Sequence, residues 1–193
     1  MNTPEIILYP TESVYGLGVN PFDAVALESL YKLKGRQGDK PVSWLVRTWS
    51  DIERYAEVNS AARTLAEHFL PGPLTLVLTL RPEFKDKGAS DGTIGFRITT
   101  DKVAKELIAD WYNKHDAPLT ATSANKSGET PLSTVKEILA QFGERSELIT
   151  KVLDDGPRQG TPSTVLRVNS DGTLAIIREG AISANLIRDI LNF

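Results

Sequence analysis

Four short clusters in this chain carry the residue types that hold anions. Lys34-Gly35-Arg36 sets an ammonium two residues from a guanidinium. Lysine meets a phosphate as a point charge and arginine as a two-pronged donor. The same residues also suit the negative end of a helix, and both readings stand on residue chemistry alone. Arg97 and Arg178 each lie in or beside an apolar strand-like run. A buried guanidinium needs an anionic or hydrogen-bonding partner, so each makes either an internal ion pair or a ligand clamp. Ser123-Ala124-Asn125 follows a short strand-like segment and either points into a cleft at the sheet edge or forms an ordinary turn. Thr11-Glu12-Ser13 places hydroxyls and a carboxylate after the run Ile6–Tyr9. Gly16 and Gly18 then give freedom for a tight turn or a close approach to a ligand, but they make neither a Walker loop nor a complete G-x-G-x-x-G fingerprint. The shared chemistry is an anion site.

Other chemistries have little to work with. The chain has no Cys, which removes disulfides, thiolate nucleophiles and Cys-ligated zinc. His68 and His115 lack acids at ligand spacing, so no metal site is expected. No Ser-His-Asp arrangement can be read from linear order. A net charge of -3 argues against a surface that is basic all over, yet leaves room for one basic cleft. Trp44, Trp49 and Trp111 are read as core or staple residues. The N-terminus lacks the basic flank and apolar core of a signal peptide, and no apolar run reaches about 18 residues. These features predict a cytoplasmic protein, away from membranes, with one domain over 1–193.

The positioning elements follow from periodicity. Ile6–Tyr9 is short and β-branched, and Pro10 halts it as a strand. A helix capped by Asp23 delivers Lys34 and Arg36 at its far end. Val42–Val46 is a strand, Ser50 or Asp51 caps a helix to Glu57, and Ser60 caps another to Phe69. Pro71-Gly72-Pro73 ends that helix before the strand Leu74–Leu80. A charged loop from Arg81 to Gly92 precedes the strand Thr93–Ile98. Asp101 opens a helix with Val103, Ala104, Leu107, Ile108 and Trp111 at helical spacing. Pro118–Thr122 is a strand, Ser133 caps a helix, and Val152-Leu153 is a brief strand. Ser163–Val168 pairs with Leu174–Arg178 across the turn Asn169–Gly172, and a last helix spans Ser183–Leu191. This interleaving predicts an α/β fold with an open, twisted, mixed sheet, flanking helices and a concave cleft.

Six ordered motifs then coincide with one family. The chain resembles the YrdC-like threonylcarbamoyl-adenylate synthases in Pro10-Thr11-Glu12-Ser13-Val14-Tyr15-Gly16-Leu17-Gly18, Lys34-Gly35-Arg36, Pro71-Gly72-Pro73-Leu74-Thr75, Ser123-Ala124-Asn125, Ser163-Thr164-Val165 and Arg178-Glu179-Gly180. The resemblance implies synthesis of threonylcarbamoyl-AMP and pyrophosphate from L-threonine, bicarbonate and ATP, with Mg²⁺. The product feeds the threonylcarbamoyl modification of adenosine 37 in tRNA through a downstream transferase complex, with weak RNA binding as a further expectation. By the same resemblance, Lys34 and Arg36 are the catalytic pair and hold the nucleotide phosphates. Ser123, Asn125 and Arg178 complete the nucleotide site. Thr11, Tyr15, Arg97 and Ser163 form the threonine pocket, with Arg97 on the carboxylate.

The chain departs from the family pattern in three places. The usual N-terminal helix is missing or very short, because Pro10 comes so early. The N-P-L and following His of many members are replaced by Lys40-Pro41-Val42 and Ser43-Trp44-Leu45. The chain ends soon after the last motif, as expected for the short, single-domain form. Two readings compete with the synthase: a non-catalytic RNA-binding module, and a nucleotide-binding paralogue that does not use threonine. Net acidity and the lack of a Lys/Arg run weigh against the first.

Overall fold

The computed structural model describes residues 4–36, 41–87 and 91–191. Its strands are β1 (Ile7–Tyr9), β2 (Gly16–Gly18), β3 (Ser43–Leu45), β4 (Leu74–Thr79), β5 (Thr93–Arg97), β6 (Leu119–Ser123), β7 (Lys151–Val152), β8 (Thr164–Val168) and β9 (Leu174–Arg178). Its α-helices are α1 (Ala24–Lys34), α2 (Trp49–Tyr55), α3 (Ser60–Phe69), α4 (Lys102–His115), α5 (Val135–Phe142) and α6 (Ala184–Leu191). The strands form one nine-stranded sheet in the order β7-β1-β2-β6-β3-β5-β4-β8-β9. It is mixed: β3–β5, β4–β8 and β1–β7 run parallel, and the other neighbours antiparallel.

Period-two alternation decides which side chains reach the site. Trp44 points away from it, into an apolar cluster with Tyr55, Phe96, Leu76 and Leu166 under α2, α3 and α6. Its ring meets Phe22, Tyr55 and Phe96 edge-on at 5.5–5.6 Å between centroids. Burying each such side chain contributes about 1.5–3 kcal/mol, so this face anchors the sheet. Leu45, the next residue, turns to the opposite face and packs with Ile7, Tyr9 and Leu119 against α4. Leu8, Tyr15 and Leu17 form a third cluster under α1 and α5.

Several local expectations need correction. Gly16–Gly18 is a strand between β1 and β6, not a turn. Their missing side chains make room for packing inside the sheet: a Cβ on Gly16 would lie 2.8 Å from the Tyr9 ring, and one on Gly18 2.5 Å from Leu119. Thr48 caps α2 and Asn59 caps α3, one to three residues before the expected caps, and Thr134 caps α5, one residue after the expected Ser133. Thr48 and Thr134 win because each has an acidic residue three positions on, Asp51 and Glu137, which bonds back to the cap in a reciprocal box. Between Arg81 and Gly92 the chain forms a 3-10 helix over Pro82–Lys87, while 88–90 lie outside the described residues. The strand expected at Val152-Leu153 is Lys151–Val152. Asp23 and Asp101 cap as expected, and β8 pairs with β9 with a shift of register at Val165/Leu166.

Candidate active site

Side chains from seven strands and four loops converge on a cavity of about 220 Å³. Seven of the nine predicted site residues line it: Thr11, Tyr15, Arg36, Arg97, Ser123, Ser163 and Arg178. Among the described residues no Asp or Glu lines the cavity. Three guanidiniums facing one small space, in a chain of net charge -3, make a strongly anion-selective site.

Lys34 and Asn125 stand behind the wall. Lys34 is 3% exposed, and its ammonium donates to the carbonyls of Ser123 and Asn125, the latter at 2.7 Å. Burial, with the charge of Arg36 added, lowers its pKa from 10.5 to about 7. Helix α1 places it there: Gly35 takes φ +62°, a left-handed cap where glycine carries no Cβ penalty, and the chain turns so that Arg36 faces the cavity. Arg36 donates to the carbonyl of Pro41 at 2.9 Å. The buried Asn125 amide donates to the carbonyls of Lys126 and Glu129, and among the described residues its Oδ1 has no donor. The Ser-Ala-Asn segment is therefore more than an ordinary turn, since Lys34 fixes its backbone from beneath.

On the opposite side lie Arg97 and Arg178. Arg97 sits at the end of β5 and Nη2 donates to Glu12 Oε1 at 2.7 Å and Ser13 Oγ at 2.8 Å. Of the two roles left open for Arg97, the structure contains the ion pair. Burial alone would raise the Glu12 carboxyl, but Arg97 and the Thr99 hydroxyl more than offset it and hold the pKa below the ordinary value. Arg178 donates to the carbonyl of Ser163 at 2.7 Å. Burial and then the like charge of Arg97 lower its pKa, so an anion between the two would relieve their repulsion. The Ser163 hydroxyl bonds to that of Thr75 at 3.0 Å on the cavity floor. Gly95 passes beneath, where a Cβ would fall 2.4 Å from Ser43 Oγ.

Tyr15 lines the cavity with its ring but turns its hydroxyl outward. The hydroxyl donates to the carbonyl of Gly156 at 2.8 Å, and the amide of Asp155 donates back at 3.1 Å. The segment it ties down also carries Arg158, which sequence reasoning missed. Arg158 Nε donates to the carbonyl of Thr11 at 3.1 Å, and Nη2 pairs with Asp101 at 3.2 Å and with Asp155. No sequence signal marks Arg158, because its partners come from three separate segments. Thr75 and Thr99 were also missed as site residues: Thr75 closes the quoted Pro71–Thr75 motif but was read only as strand, and Thr99, two residues after Arg97, was given no role.

The altered wall predicted at 43–45 is part of the cavity. Ser43 and Leu45 line it with Pro41 and Val42, while Trp44 does not. This side is apolar with one hydroxyl, and Arg36 bonds to its Pro41 carbonyl.

The Sua5/YciO/YrdC family model, described as "Telomere recombination", matches residues 1–180. A Methanocaldococcus jannaschii protein, provisionally named threonylcarbamoyl-AMP synthase, is 36% identical over 179 residues, covering 92% of this chain and 81% of the relative. The Bacillus subtilis threonylcarbamoyl-AMP synthase is 30% identical over 191 residues, covering 97% of this chain and 53% of the relative. The solved structure of Pyrococcus abyssi Sua5 complexed with L-threonine superposes with a TM-score of 0.82 at 29% identity, over 97% of this chain and 54% of that one. The chain belongs to the Sua5/YciO/YrdC family, with its open, mixed, twisted sheet.

Proposed function

We propose that this member of the family is a threonylcarbamoyl-AMP synthase, a nucleotidyltransferase that makes threonylcarbamoyl-AMP and pyrophosphate from L-threonine, bicarbonate and ATP. The observation that carries the reading is the meeting of Arg36, Arg97 and Arg178 in one cavity with no carboxylate lining it among the described residues. Relatives named for this activity and a homologue solved with L-threonine support it.

The chemistry explains the residue types. The threonine amine and bicarbonate give a carbamate and water; a carbamate oxygen attacks the α-phosphorus of ATP, and the bond to the β-phosphate oxygen breaks to release pyrophosphate. Several negative charges meet and little proton transfer is needed, so positioning and charge neutralisation carry the rate. In this reading Arg36 and Arg178 hold the nucleotide, with Ser123 beside it. Lys34 and Asn125 act from behind by fixing the Ser123–Asn125 backbone. Thr11, Tyr15, Arg97 and Ser163 shape the threonine pocket. Among the described residues no group of three His, Asp or Glu is placed to hold a metal. Mg²⁺ is accordingly assigned to the substrate, arriving on the ATP phosphates.

In this reading the product is an adenylate handed to a tRNA threonylcarbamoyl-transferase in the cytoplasm. The test is pyrophosphate release from ATP, bicarbonate and Mg²⁺ with L-threonine, with serine, and without an amino acid. Threonine-dependent release is expected. ATP bound without any threonine-dependent release would overturn the assignment in favour of a nucleotide-binding protein with another acceptor.

A further inference from the structure

The bonding of Arg97 is lopsided. Every hydrogen bond it makes among the described residues leaves from Nη2, to Glu12, Ser13 and, at 3.4 Å, Thr11. Nε is buried and has no acceptor among them, and Nη1 has none either. The guanidinium faces the cavity, whereas Glu12 is absent from its lining. Nη2 is held from behind, Nε is shielded, and Nη1 is left for a ligand in the cavity.

Glu12 is itself held in place. Its second oxygen accepts from the Thr99 hydroxyl at 2.5 Å, and Thr99 is 1% exposed. Thr99 also accepts from the amide of Asp101, the N-cap of α4. Gly160 lies against the backbone of Glu12 and Ser13, where a Cβ would meet Ser13 at 2.7 Å and the Glu12 carbonyl at 2.9 Å. Carboxylate, hydroxyl and helix cap thus form a rigid chain ending on Arg97. Neither partner is open to solvent, with side-chain exposures of 11% for Arg97 and 17% for Glu12. A pair this dry is costly to break from one side, because the remaining charge loses both partner and water.

We infer that Glu12 is a positioning residue, which fixes the Arg97 guanidinium so that its Nη1 receives the carboxylate of the amino-acid substrate. This rests on the synthase reading above. Glu12 engages only Nη2 of Arg97 and leaves Nη1 without an acceptor among the described residues. It sets orientation, and the substrate carboxylate completes the ion pair. The opposing role, in which Glu12 occupies the place of that carboxylate and must leave, predicts the reverse effect on affinity.

The experiment is calorimetric binding of L-threonine, and separately of ATP, to the full chain as wild type, Glu12→Gln and Glu12→Asp, with thermal melts of each. Glu12→Gln keeps an acceptor near Nη2 but removes the charge. It should weaken L-threonine binding by about tenfold to a hundredfold while ATP binding shifts less than about threefold. Glu12→Asp should recover part of the loss. The threonine KM should rise with a smaller change in kcat, a split that general loosening of the fold would not give. Unchanged L-threonine binding in a folded Glu12→Gln protein overturns the inference alone. Tighter binding overturns it and makes Glu12 a competitor of the substrate. Should Glu12→Gln fail to fold, the same readout on Glu12→Asp decides, since a shortened carboxylate that leaves affinity untouched also overturns it. Wild-type protein that binds ATP but no L-threonine overturns the synthase reading, and this inference with it.

Discussion

The ammonium of Lys34 donates to the carbonyl of Asn125, 91 residues along the chain, at 2.7 Å, and also to that of Ser123. A basic residue at a helix end thus serves as a strut under the loop after β6, and the neighbouring Arg36 faces the cavity instead. Both charges nevertheless act on one site, because burial and Arg36 together pull the Lys34 pKa down to about 7.

That shift has a definite sign in stability. Between pH 7 and about 10.5 the unfolded chain keeps the Lys34 proton while the folded protein releases it, so stability from this group rises with pH across that window. Below pH 7 both states are charged and the folded one bears the burial cost. Urea midpoints at pH 7 and pH 9 should show wild type gaining more than Lys34→Met. Parallel curves would mean that the two carbonyls keep the ammonium charged.

Arg36→Ala should fold normally and lose about a hundredfold or more in turnover, the usual cost of removing one preorganised donor to a developing charge. Lys34→Ala should lose activity and also loosen the Ser123–Asn125 backbone, lowering the melting temperature where Arg36→Ala does not. Pyrophosphate release paired with thermal melts separates the two. Near-normal turnover in folded Arg36→Ala would remove Arg36 from the reacting centre.

Tyr15→Phe keeps the cavity ring and deletes the hydroxyl that binds Gly156, Asp154 and the amide of Asp155. The expected loss is about 1–2 kcal/mol in urea unfolding, with a higher threonine KM as the Asp154–Gly160 segment loosens over Thr11. A stability change without any change in KM would confine Tyr15 to a structural role.

Gly180→Ala should destabilise the protein by about 1–3 kcal/mol and lower activity. Its Cβ would fall 2.2 Å from the Pro162 carbonyl and 2.7 Å from Ser163, which are backbone atoms that cannot swing aside. The spacing of Arg178-Glu179-Gly180 thus fits Gly180 against the Ser163 strand while Arg178 reaches the Ser163 carbonyl. Equal melting temperatures for wild type and variant would contradict that close approach.

Local chemistry made much of the fold legible. Asp23 and Asp101 announce α1 and α4 because a cap acts on amides two or three residues away. Burial alternates along Thr164–Val168 because neighbouring side chains face opposite sides, whereas Leu74–Thr79 is buried on both faces and shows as a short apolar run. The nearest serine misled at α2 and α5, although the Thr-x-x-Asp and Thr-x-x-Glu boxes were there to be read. At Gly16–Gly18 the missing side chains suggested a turn, where they make room for Tyr9 and Leu119 in the middle of a sheet.

By itself the sequence determined the class of fold, the elements and the anion-holding chemistry of Lys34, Arg36, Arg97 and Arg178, because those depend on residue type and on neighbours within a turn or two. Only the tertiary structure decided what each charge meets. Arg97 finds Ser13 84 residues away, Tyr15 finds Gly156 at 141, and Arg158 finds Thr11 at 147. No periodicity encodes such pairs, since strand order in the nine-stranded sheet brings them together. The same order turned Lys34 inward and Arg36 toward the cavity, which two adjacent basic side chains cannot settle from their spacing.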